Sequence, residues 1–508
     1  MINKYFIEGC IAWGIVILLF CLIGAKSRLH LVSIEHLKNA EKVFCISVMI
    51  GVILICVLPM GLSPIWNGED PGHRNQYELM AESILEGHLY IDYKDIDSRL
   101  LEMEDPYDAA AREEAGIYYH WDHAFYNGHY YMYFGIVPVF LVFLPYRIIT
   151  GANLTTYHAT QIFVMFYICG VFAVLHLLSR KFFPKITLGM YVLLASAFSM
   201  MSVWYSVTAP ALYCTADTAG ICMEVWSLYC FIRAVWDEKD DRKSILYAFC
   251  GSIFGALAFG CRPPVALVNI VVIPMLVEYV RRRKMSAKLI FRLIFAAAPY
   301  VVVAVCLMVY NTLRFDNPFE FGQAYQLTVE NQSNYGNFAS KFNLKAVWEG
   351  VVYNFAAIGS VSGKFPYISY NGVFISFPIL FFIVAGFAVK KVRGYLKQKK
   401  LWAVVVAFAA LPVVITIMDI LWTPFLMERY RMDFYWIMGL LCFMFIGSFQ
   451  VAMAWGKNFS RCVSMLGFLT ICFCFILFLV PYDGNFTDYY PEKLLEIEKV
   501  FTLGLGVK

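Results

Sequence analysis

The chain has 508 residues, of which 60% are hydrophobic and only 15% are charged, and its mean hydropathy is +0.63. A soluble core does not need this much apolar sequence, so composition excludes a soluble globular protein. The formal net charge of +4 says little by itself, and we predict no nucleic-acid partner. No separate soluble domain is visible, so residues 1–508 are predicted to form a single integral membrane domain.

Twelve apolar segments are long enough to cross a bilayer as helices. They are 9–25, 43–62, 157–178, 186–207, 212–236, 245–260, 264–280, 289–310, 369–390, 401–422, 433–453 and 463–481. The first lacks a strong basic leader and a convincing cleavage site, which favours a membrane span over a secretory signal. The predicted fold class is an all-α polytopic membrane protein with about twelve transmembrane helices.

The distribution of charge decides whether a thirteenth apolar run, 131–149, crosses the membrane. The connections 26–42, 179–185, 237–244, 281–288, 390–400 and 456–461 hold 23 of the 41 Lys and Arg residues. All six lie on one side of the membrane only if 131–149 does not cross it, and Pro138 and Pro145 interrupt that run. We therefore predict a re-entrant or surface-lying segment, with the basic connections in the cytoplasm and both termini outside.

This topology places two long loops outside, 63–156 and 311–368. The first holds 15 Asp and Glu against 5 Lys and Arg. It begins with the adjacent acids Glu69 and Asp70, followed by a predicted helix that ends before Gly87, a residue suited to a helix C-cap. Apolar residues recur on one face of this helix at Tyr77, Met80, Ala81, Ile84 and Leu85. Such a helix can lie flat on the membrane; the alternative is a solvated cap that merely ends a helical hairpin.

The second half of the first loop is rich in aromatic residues, with nine in the twenty residues 116–135. Aromatic side chains at this level suit a membrane interface, and they also suit stacking on sugar rings. Neither long external loop contains any of the 15 cysteines in its polar stretch. We therefore predict no structural disulfide and no zinc site.

Charged residues inside or beside membrane spans are costly and usually functional. All but one of those in this chain map to the external ends of their helices: Asp217, Arg262, Arg314, Asp419, Glu428, Arg429 and Arg431. The exception is Glu224, two turns deeper than Asp217. This convergence predicts one polar site at the outer leaflet. The alternative is interhelical ion pairing, such as Asp217 with Arg262.

Carboxylates beside several arginines suit the transfer of a sugar from a lipid-linked phosphate. A polyprenyl phosphate leaves without protonation but needs cations to hold its developing charge, and arginine forks match phosphate oxygens. The acceptor hydroxyl needs a base, which a carboxylate can provide, and direct attack inverts the anomeric centre. The chain has no G-x-x-x-x-G-K-[ST] loop, so the energy must come with the substrate, and it has no H-E-x-x-H zinc helix.

The layout resembles the GT-C superfamily of multispanning glycosyltransferases, which includes protein O-mannosyltransferases and lipid A aminoarabinose transferases. Four elements carry the resemblance: Glu69-Asp70 with the helix from about Arg74 to Glu86, Arg262-Pro263, the Arg314, Phe315, Pro318, Phe319 element, and the run 126–146, which is similar to segments of bacterial members. The order here is Glu-Asp, whereas the mannosyltransferases have Asp-Glu. Family members differ in metal use, so the resemblance implies no cofactor and leaves a divalent metal open.

The resemblance also implies roles for individual residues. In the family, the acid nearest the first surface helix contacts the acceptor, which makes Asp70 the expected base, Glu69 the fallback and Asp217 a second acid that orients the site. The donor phosphate is expected to bind Arg262, Arg314, Arg429 and Arg431. Substrate contacts are expected from His73, Arg74, Asp122, Tyr130 and Tyr131.

The predicted function is therefore an inverting glycosyltransferase at the outer face of a cell membrane, expected to be a bacterial plasma membrane. Glycan, lipid and protein acceptors all stay open. Its donor is a polyprenyl-phosphate sugar, and membrane lipid surrounds it. An O-antigen-type ligase or polymerase is an alternative that would not require the acidic first loop. A transporter of a lipid-linked or small polar substrate would place its charged site near mid-membrane, where only Glu224 lies.

Overall fold

The fold is taken from a computed structural model, which describes residues 4–23, 26–60, 75–210, 212–283, 285–332, 342–359, 361–422, 428–453, 456–480 and 486–505. Eleven helical segments in these ranges are long and apolar enough to cross a membrane. The predicted class, an all-α polytopic membrane protein, is confirmed.

The helices are α1 (Lys4–Ile23), α2 (Asn39–Met60), α3 (Gln76–Glu86), α4 (Ser98–Glu102), α5 (Ala109–Glu114), α6 (Leu144–Thr150), α7 (Thr156–Phe182), α8 (Leu188–Thr208), α9 (Leu212–Ile232), α10 (Asp241–Cys261), α11 (Pro263–Ala266), α12 (Val272–Arg281), α13 (Ala287–Phe315), α14 (Leu344–Ala356), α15 (Val373–Ser376), α16 (Phe381–Ala388), α17 (Lys390–Gln398), α18 (Trp402–Trp422), α19 (Met432–Ala452), α20 (Gly456–Phe478), α21 (Phe486–Tyr489) and α22 (Pro491–Phe501). The strands are β1 (His123–Tyr126), β2 (His129–Met132) and β3 (Gln326–Leu327).

The segment predicted as a span at 369–390 is broken into α15, a short 3₁₀ turn and α16. The break falls at Pro378, because a proline disfavours the helical conformation of the residue before it. The segment still runs the depth of the bundle. Arg431, at the start of α19, donates to the Asn371 carbonyl at 2.9 Å, and Tyr395 donates to the Phe182 carbonyl at the far end of α7.

The structure brings the basic connections to one end of the bundle, called here the basic end. The contacts that join them are Val32 with Leu188, Arg180 with Asp237, Lys185 with Val451, Arg283 with Asp241, Tyr395 with Phe182, and Ser460 with Met190. The opposite end, which carries both long loops, is called the loop end. The separation of the two ends agrees with the charge bias of the sequence.

The first loop leaves and rejoins the bundle at the loop end. Gln161, near the start of α7, donates to the Val57 carbonyl near the end of α2 at 3.2 Å. Between them, the run predicted as re-entrant or surface-lying contains the end of β2 and a short apolar helix over Val139–Thr150. This helix packs on α3, where Phe143 stacks on Tyr77 with 5.1 Å between ring centroids.

The aromatic-rich half of the first loop forms a β-hairpin, which the sequence analysis did not predict. Asn127 and Gly128 connect β1 to β2 with φ of 49° and 79°, and Asn-Gly is a strong signal for this turn because both residues tolerate positive φ. β3 adds to β1, giving the order β2-β1-β3. Phe125, Tyr130 and Tyr131 are buried, the first two inside the loop and Tyr131 against Phe315 of α13.

Helix α3 ends as predicted. Gly87 has φ of 92°, and its N–H donates to the Ile84 carbonyl. Tyr77, Met80 and Ala81 are buried, as their spacing predicts. The helix is fixed to the bundle through a carboxylate, since Glu78 accepts a hydrogen bond of 2.9 Å from the Thr156 N–H at the start of α7. Burial raises the pKa of Glu78 to about 7, partly offset by that hydrogen bond.

This shift predicts a pH dependence of stability. Between the pKa of an unfolded Glu and a folded value of about 7, the folded protein binds a proton that the unfolded chain does not. The contribution of Glu78 to stability therefore falls as pH rises through this window. We expect Glu78→Gln to remove that part of the change in detergent melting temperature between pH 5 and pH 8. Glu102→Gln, which removes an exposed carboxylate at the end of α4, is the control, and an identical pH slope in both variants would contradict the assignment.

Candidate functional site

A cavity of about 660 Å³ opens at the loop end, where α9 and α19 begin and α10, α13 and α18 end. Two loop segments, 133–136 and 319–324, complete its wall. Much of the wall is apolar, with Phe134, Ile136, Phe259, Leu307 and Trp422. The charged groups on the wall are Arg262, Arg314, Arg429, Asp419 and Glu320. The cavity thus combines a mostly apolar surface with three guanidinium groups.

Arg262 occupies the break between two helices. It precedes Pro263 and has φ of −154° and ψ of 107°, an extended conformation that ends α10 and lets proline begin α11. Its Nε lies 2.7 Å from Asp433 Oδ1 and 2.9 Å from Asp217 Oδ1. Both carboxylates are fully buried. Arg262 therefore joins α9 to α19, and its charge is balanced by two acids.

The first loop is pressed against this helix break through Gly135. A Cβ added to this residue would lie 2.3 Å from the carbonyl oxygens of both Gly260 and Cys261. Only glycine permits so close an approach of one backbone to another. The contact sets the loop wall of the cavity next to Arg262.

Arg314 lies in the last turn of α13 and is almost fully buried. Its guanidinium donates to the Met132 carbonyl and to Asn311 Oδ1, each at 2.9 Å, and it lies 3.9 Å from the centroid of the Tyr310 ring. These partners are neutral, and Nε has no hydrogen-bond partner. In the described part of the chain, Arg314 forms no ion pair with a carboxylate.

Arg429 lies on the 3₁₀ turn Glu428–Arg431 that leads into α19. Its guanidinium stacks on the Tyr213 ring at 4.0 Å and lies 3.5 Å from the Tyr430 hydroxyl. Nε has no hydrogen-bond partner. Within the described ranges Arg429, like Arg314, has no carboxylate in ion-pair contact, although Asp217 acts on it electrostatically from farther away.

The first loop fixes the position of Tyr213. Its hydroxyl donates to Asp122 Oδ2, and Gln326, on β3, donates to Asp122 Oδ1 at 2.9 Å. Asp122 itself has φ of 56°, a conformation uncommon for residues other than glycine. Burial raises the pKa of Asp122, and the Tyr213 hydrogen bond and the Arg429 charge oppose that rise. Both long loops therefore help to position Arg429, because they fix the Tyr213 ring on which its guanidinium stacks.

The residues predicted from sequence divide into three groups. Glu69, Asp70, His73 and Arg74 lie outside the described residues. The structure brings together Asp217, Arg262, Arg314 and Arg429 around one cavity, with Asp122 one residue removed from its wall. The remaining three predicted residues lie elsewhere.

Those three are Arg431, Tyr130 and Tyr131, and their expected substrate contacts do not fit their positions. Arg431 is buried away from the cavity, where it donates to Asn354 Oδ1 at 3.1 Å and to a backbone carbonyl. Tyr130 packs inside the first loop, and Tyr131 packs on Phe315. Arg431 differs from Arg429 because two residues on a tight 3₁₀ turn point in different directions.

Several residues at the site were not predicted from the sequence. Asp433 was passed over because it begins an apolar run, although its position five residues after Glu428 was a usable signal. Tyr133, Tyr213 and Tyr430 line the cavity, but aromatic residues are too frequent in this chain to be singled out. Asp419 was noted as a charge at a helix end, and it too lies on the cavity wall.

Glu224 lies deeper in the bundle, apart from this cavity. It accepts a hydrogen bond of 2.6 Å from Asn269, in the 3₁₀ segment between α11 and α12. Asn269 also donates to the carbonyls of Gly255 and Ala266. These contacts satisfy backbone groups at a helix break. Among the described residues, no cluster of three or more His, Cys, Asp or Glu side chains could hold a metal ion.

Comparison with protein-family models and with curated proteins finds no match. Among solved structures, the chain is similar to the apo form of the oligosaccharyltransferase of Archaeoglobus fulgidus, with a TM-score of 0.42 and 14% sequence identity. The match covers 88% of this chain and 59% of that protein. So weak a similarity gives no residue correspondence, and the function proposed below rests on the site alone.

The position of Arg262 predicts a mainly structural role. Arg262→Gln leaves Asp217 and Asp433 facing each other without their shared cation. Removing one partner of a buried ion pair typically costs about 3–5 kcal/mol, so the detergent melting temperature should fall markedly. Adding Asp217→Asn to this variant should recover part of the loss. An unchanged melting temperature in Arg262→Gln would show that the three-residue cluster contributes nothing to stability.

Proposed function

We propose that this protein is a membrane glycosyltransferase that moves a sugar from a polyprenyl-phosphate-linked donor to an acceptor. The observation that carries the proposal is the pair Arg314 and Arg429. Both guanidinium groups are on the wall of one cavity, and neither has a carboxylate in ion-pair contact within the described chain. A charged group in such surroundings is costly unless something neutralises it.

The ligand that fits is an anion with an apolar extension. Guanidinium groups present planar forks of donors that match phosphate oxygens, and Arg314 and Arg429 both lie on the wall of the cavity. The apolar wall, including Phe134, Phe259 and Leu307, suits a hydrocarbon chain. A prenyl-linked phosphate combines both properties in one molecule, whereas a soluble sugar nucleotide would make no use of the apolar wall.

The proposed reaction is a direct displacement at the anomeric carbon. The acceptor oxygen forms a bond to this carbon while the bond to the donor phosphate oxygen breaks, which inverts the configuration. The electron pair of the broken bond stays on the polyprenyl phosphate, where Arg314 and Arg429 stabilise the added negative charge. The acceptor proton passes to a carboxylate base. No nucleotide is consumed, because the sugar–phosphate bond supplies the energy.

Asp70 is the proposed base, with Glu69 as the fallback. Both precede Gln76, whose side chain donates to the Asp122 carbonyl at 3.1 Å. Asp122 in turn fixes Tyr213, on which Arg429 stacks. Asp217 is proposed to orient the site by holding Arg262, consistent with their 2.9 Å contact. Asp419 is a rival base, because its carboxylate is on the cavity wall and forms no ion pair with any described residue.

The reaction is proposed to occur at the outer face of a cell membrane, with a glycan, lipid or protein as acceptor. This orientation follows from the charge bias, since the basic end is opposite to the cavity and basic connections favour the cytoplasm. A ligase or polymerase of lipid-linked sugars would use the same cations. It differs in not requiring the acidic first loop.

The arginines give the first test. Purified protein is incubated with a panel of polyprenyl-phosphate sugars, and released polyprenyl phosphate and glycosylated product are measured. Arg314→Gln and Arg429→Gln should each fold normally and lose about tenfold to a hundredfold in rate, the value of a charge-assisted hydrogen bond of roughly 1.5–3 kcal/mol. Lysine should rescue only partly, because it lacks the planar fork.

Arg461→Gln is the control for this test, because Arg461 is an exposed arginine near the basic end. It should leave both rate and melting temperature unchanged. If Arg314→Gln and Arg429→Gln keep the full rate, the phosphate site is wrong. If they lose melting temperature instead of rate, these residues serve packing and the proposed function loses its main support.

The acids give the second test. The double variant Glu69→Gln/Asp70→Asn should abolish transfer without changing the binding of polyprenyl phosphate, because the base acts on the acceptor and not on the donor phosphate. Asp419→Asn is compared in the same assay. Full activity in the double variant together with loss in Asp419→Asn would transfer the role of base to Asp419. Full activity in both would favour the ligase or polymerase reading.

A further inference from the structure

Helix α14, in the second long loop, has two different faces. Val347, Gly350 and Asn354 are buried against the bundle. Leu344, Trp348 and Val352, at successive intervals of four residues, point away from it, with Leu344 71% and Trp348 66% exposed. Residues four apart lie on one side of a helix, so these three form an unpartnered apolar stripe.

The depth of α14 identifies the surroundings of this stripe. The Phe355 ring stacks on Phe434 in the first turn of α19, with 5.5 Å between centroids. Tyr353 donates to Glu428 at 2.7 Å, just before that helix begins. Helix α19 continues the candidate membrane span that starts at Glu428. The end of α14 is therefore level with the end of a membrane span.

From this placement we propose that α14 is an interfacial helix whose apolar stripe inserts into the lipid surface at the loop end. The occupant of the exposed face is the boundary between headgroups and acyl chains. The identity of Trp348 also favours lipid over water or protein, because tryptophan is enriched at this boundary.

Lipid insertion of α14 would also bear on the cavity. Helix α14 holds the turn that carries Arg429, because Asn354 accepts from Arg431 at 3.1 Å and Tyr353 donates to Glu428. Arg429 lies between these two contacts. A bilayer that fixes α14 thereby steadies the turn and the guanidinium on it. This second step rests on the proposed function, whereas the insertion itself does not.

Insertion is tested by tryptophan quenching in proteoliposomes. The full-length protein is reconstituted in phosphatidylcholine, either plain or brominated on the acyl chain near the headgroup. The emission of Trp348 is obtained as the difference between the wild type and Trp348→Phe. We expect brominated lipid to remove most of this difference, while aqueous acrylamide quenches it weakly. Strong acrylamide quenching with no effect of bromine would overturn the proposal.

Shielding of Trp348 from both quenchers, together with cross-linked dimers, would assign the stripe to a second copy of the chain and also overturn the proposal.

The link to the cavity is tested by Leu344→Gln/Trp348→Gln/Val352→Gln, which should lower the transfer rate several-fold. The matched control is Lys345→Gln/Glu349→Gln, which removes an exposed charged pair from the same helix. Quenching without any transferase activity in the wild type would overturn the proposed function but leave the insertion standing.

Discussion

A guanidinium group that is removed from water and left without a counter-charge costs on the order of several kcal/mol. Arg314 and Arg429, on the wall of one cavity, bear part of this cost, because neither is in ion-pair contact with a described carboxylate, and Glu320 and Asp217 act on them only from farther away. The contrast with Arg262 and Arg431 is informative. Arg262 is shared by two aspartates, and Arg431 is surrounded by amide and carbonyl acceptors with Glu428 at 3.7 Å. An anion that enters the cavity would supply an ion-pair partner to the guanidinium groups of Arg314 and Arg429.

The rest of the loop end serves to hold these two cations in place. Arg314 lies at the carboxyl end of α13, where backbone carbonyls favour a positive charge, and it is fixed by neutral acceptors on Met132 of β2 and Asn311 of α13. Arg429 rests on Tyr213, which is fixed by Asp122, and Asp122 is in turn held by Gln326 from the second loop. The two loops are thus joined in a small sheet behind the site, in which β1 pairs with β3.

The sequence specified the features that depend on local chemistry. Gly87 ends α3 because only glycine adopts its backbone conformation without strain, and Arg262 breaks a helix because proline follows it. The clustering of charges at one end of the spans followed from the alternating direction of successive helices. Features set by tertiary contact were missed. Asp433 acquires its role only when α19 packs beside α9 and α10, and the direction of Arg431 depends on the tight turn before α19. Asn127-Gly128 was a local signal for a β-hairpin, and it was missed because the many aromatic residues around it favoured other interpretations of this stretch.

The central claim concerns where a lipid-linked phosphate binds. The most direct measurement is an experimental structure of the protein in lipid nanodiscs with polyprenyl phosphate added. The account predicts phosphate density in the cavity, within hydrogen-bond distance of the guanidinium groups of Arg314 and Arg429, with the prenyl chain along the apolar wall near Phe259 and Leu307. Phosphate density elsewhere, with both arginines still facing an empty cavity at a saturating ligand concentration, would contradict it.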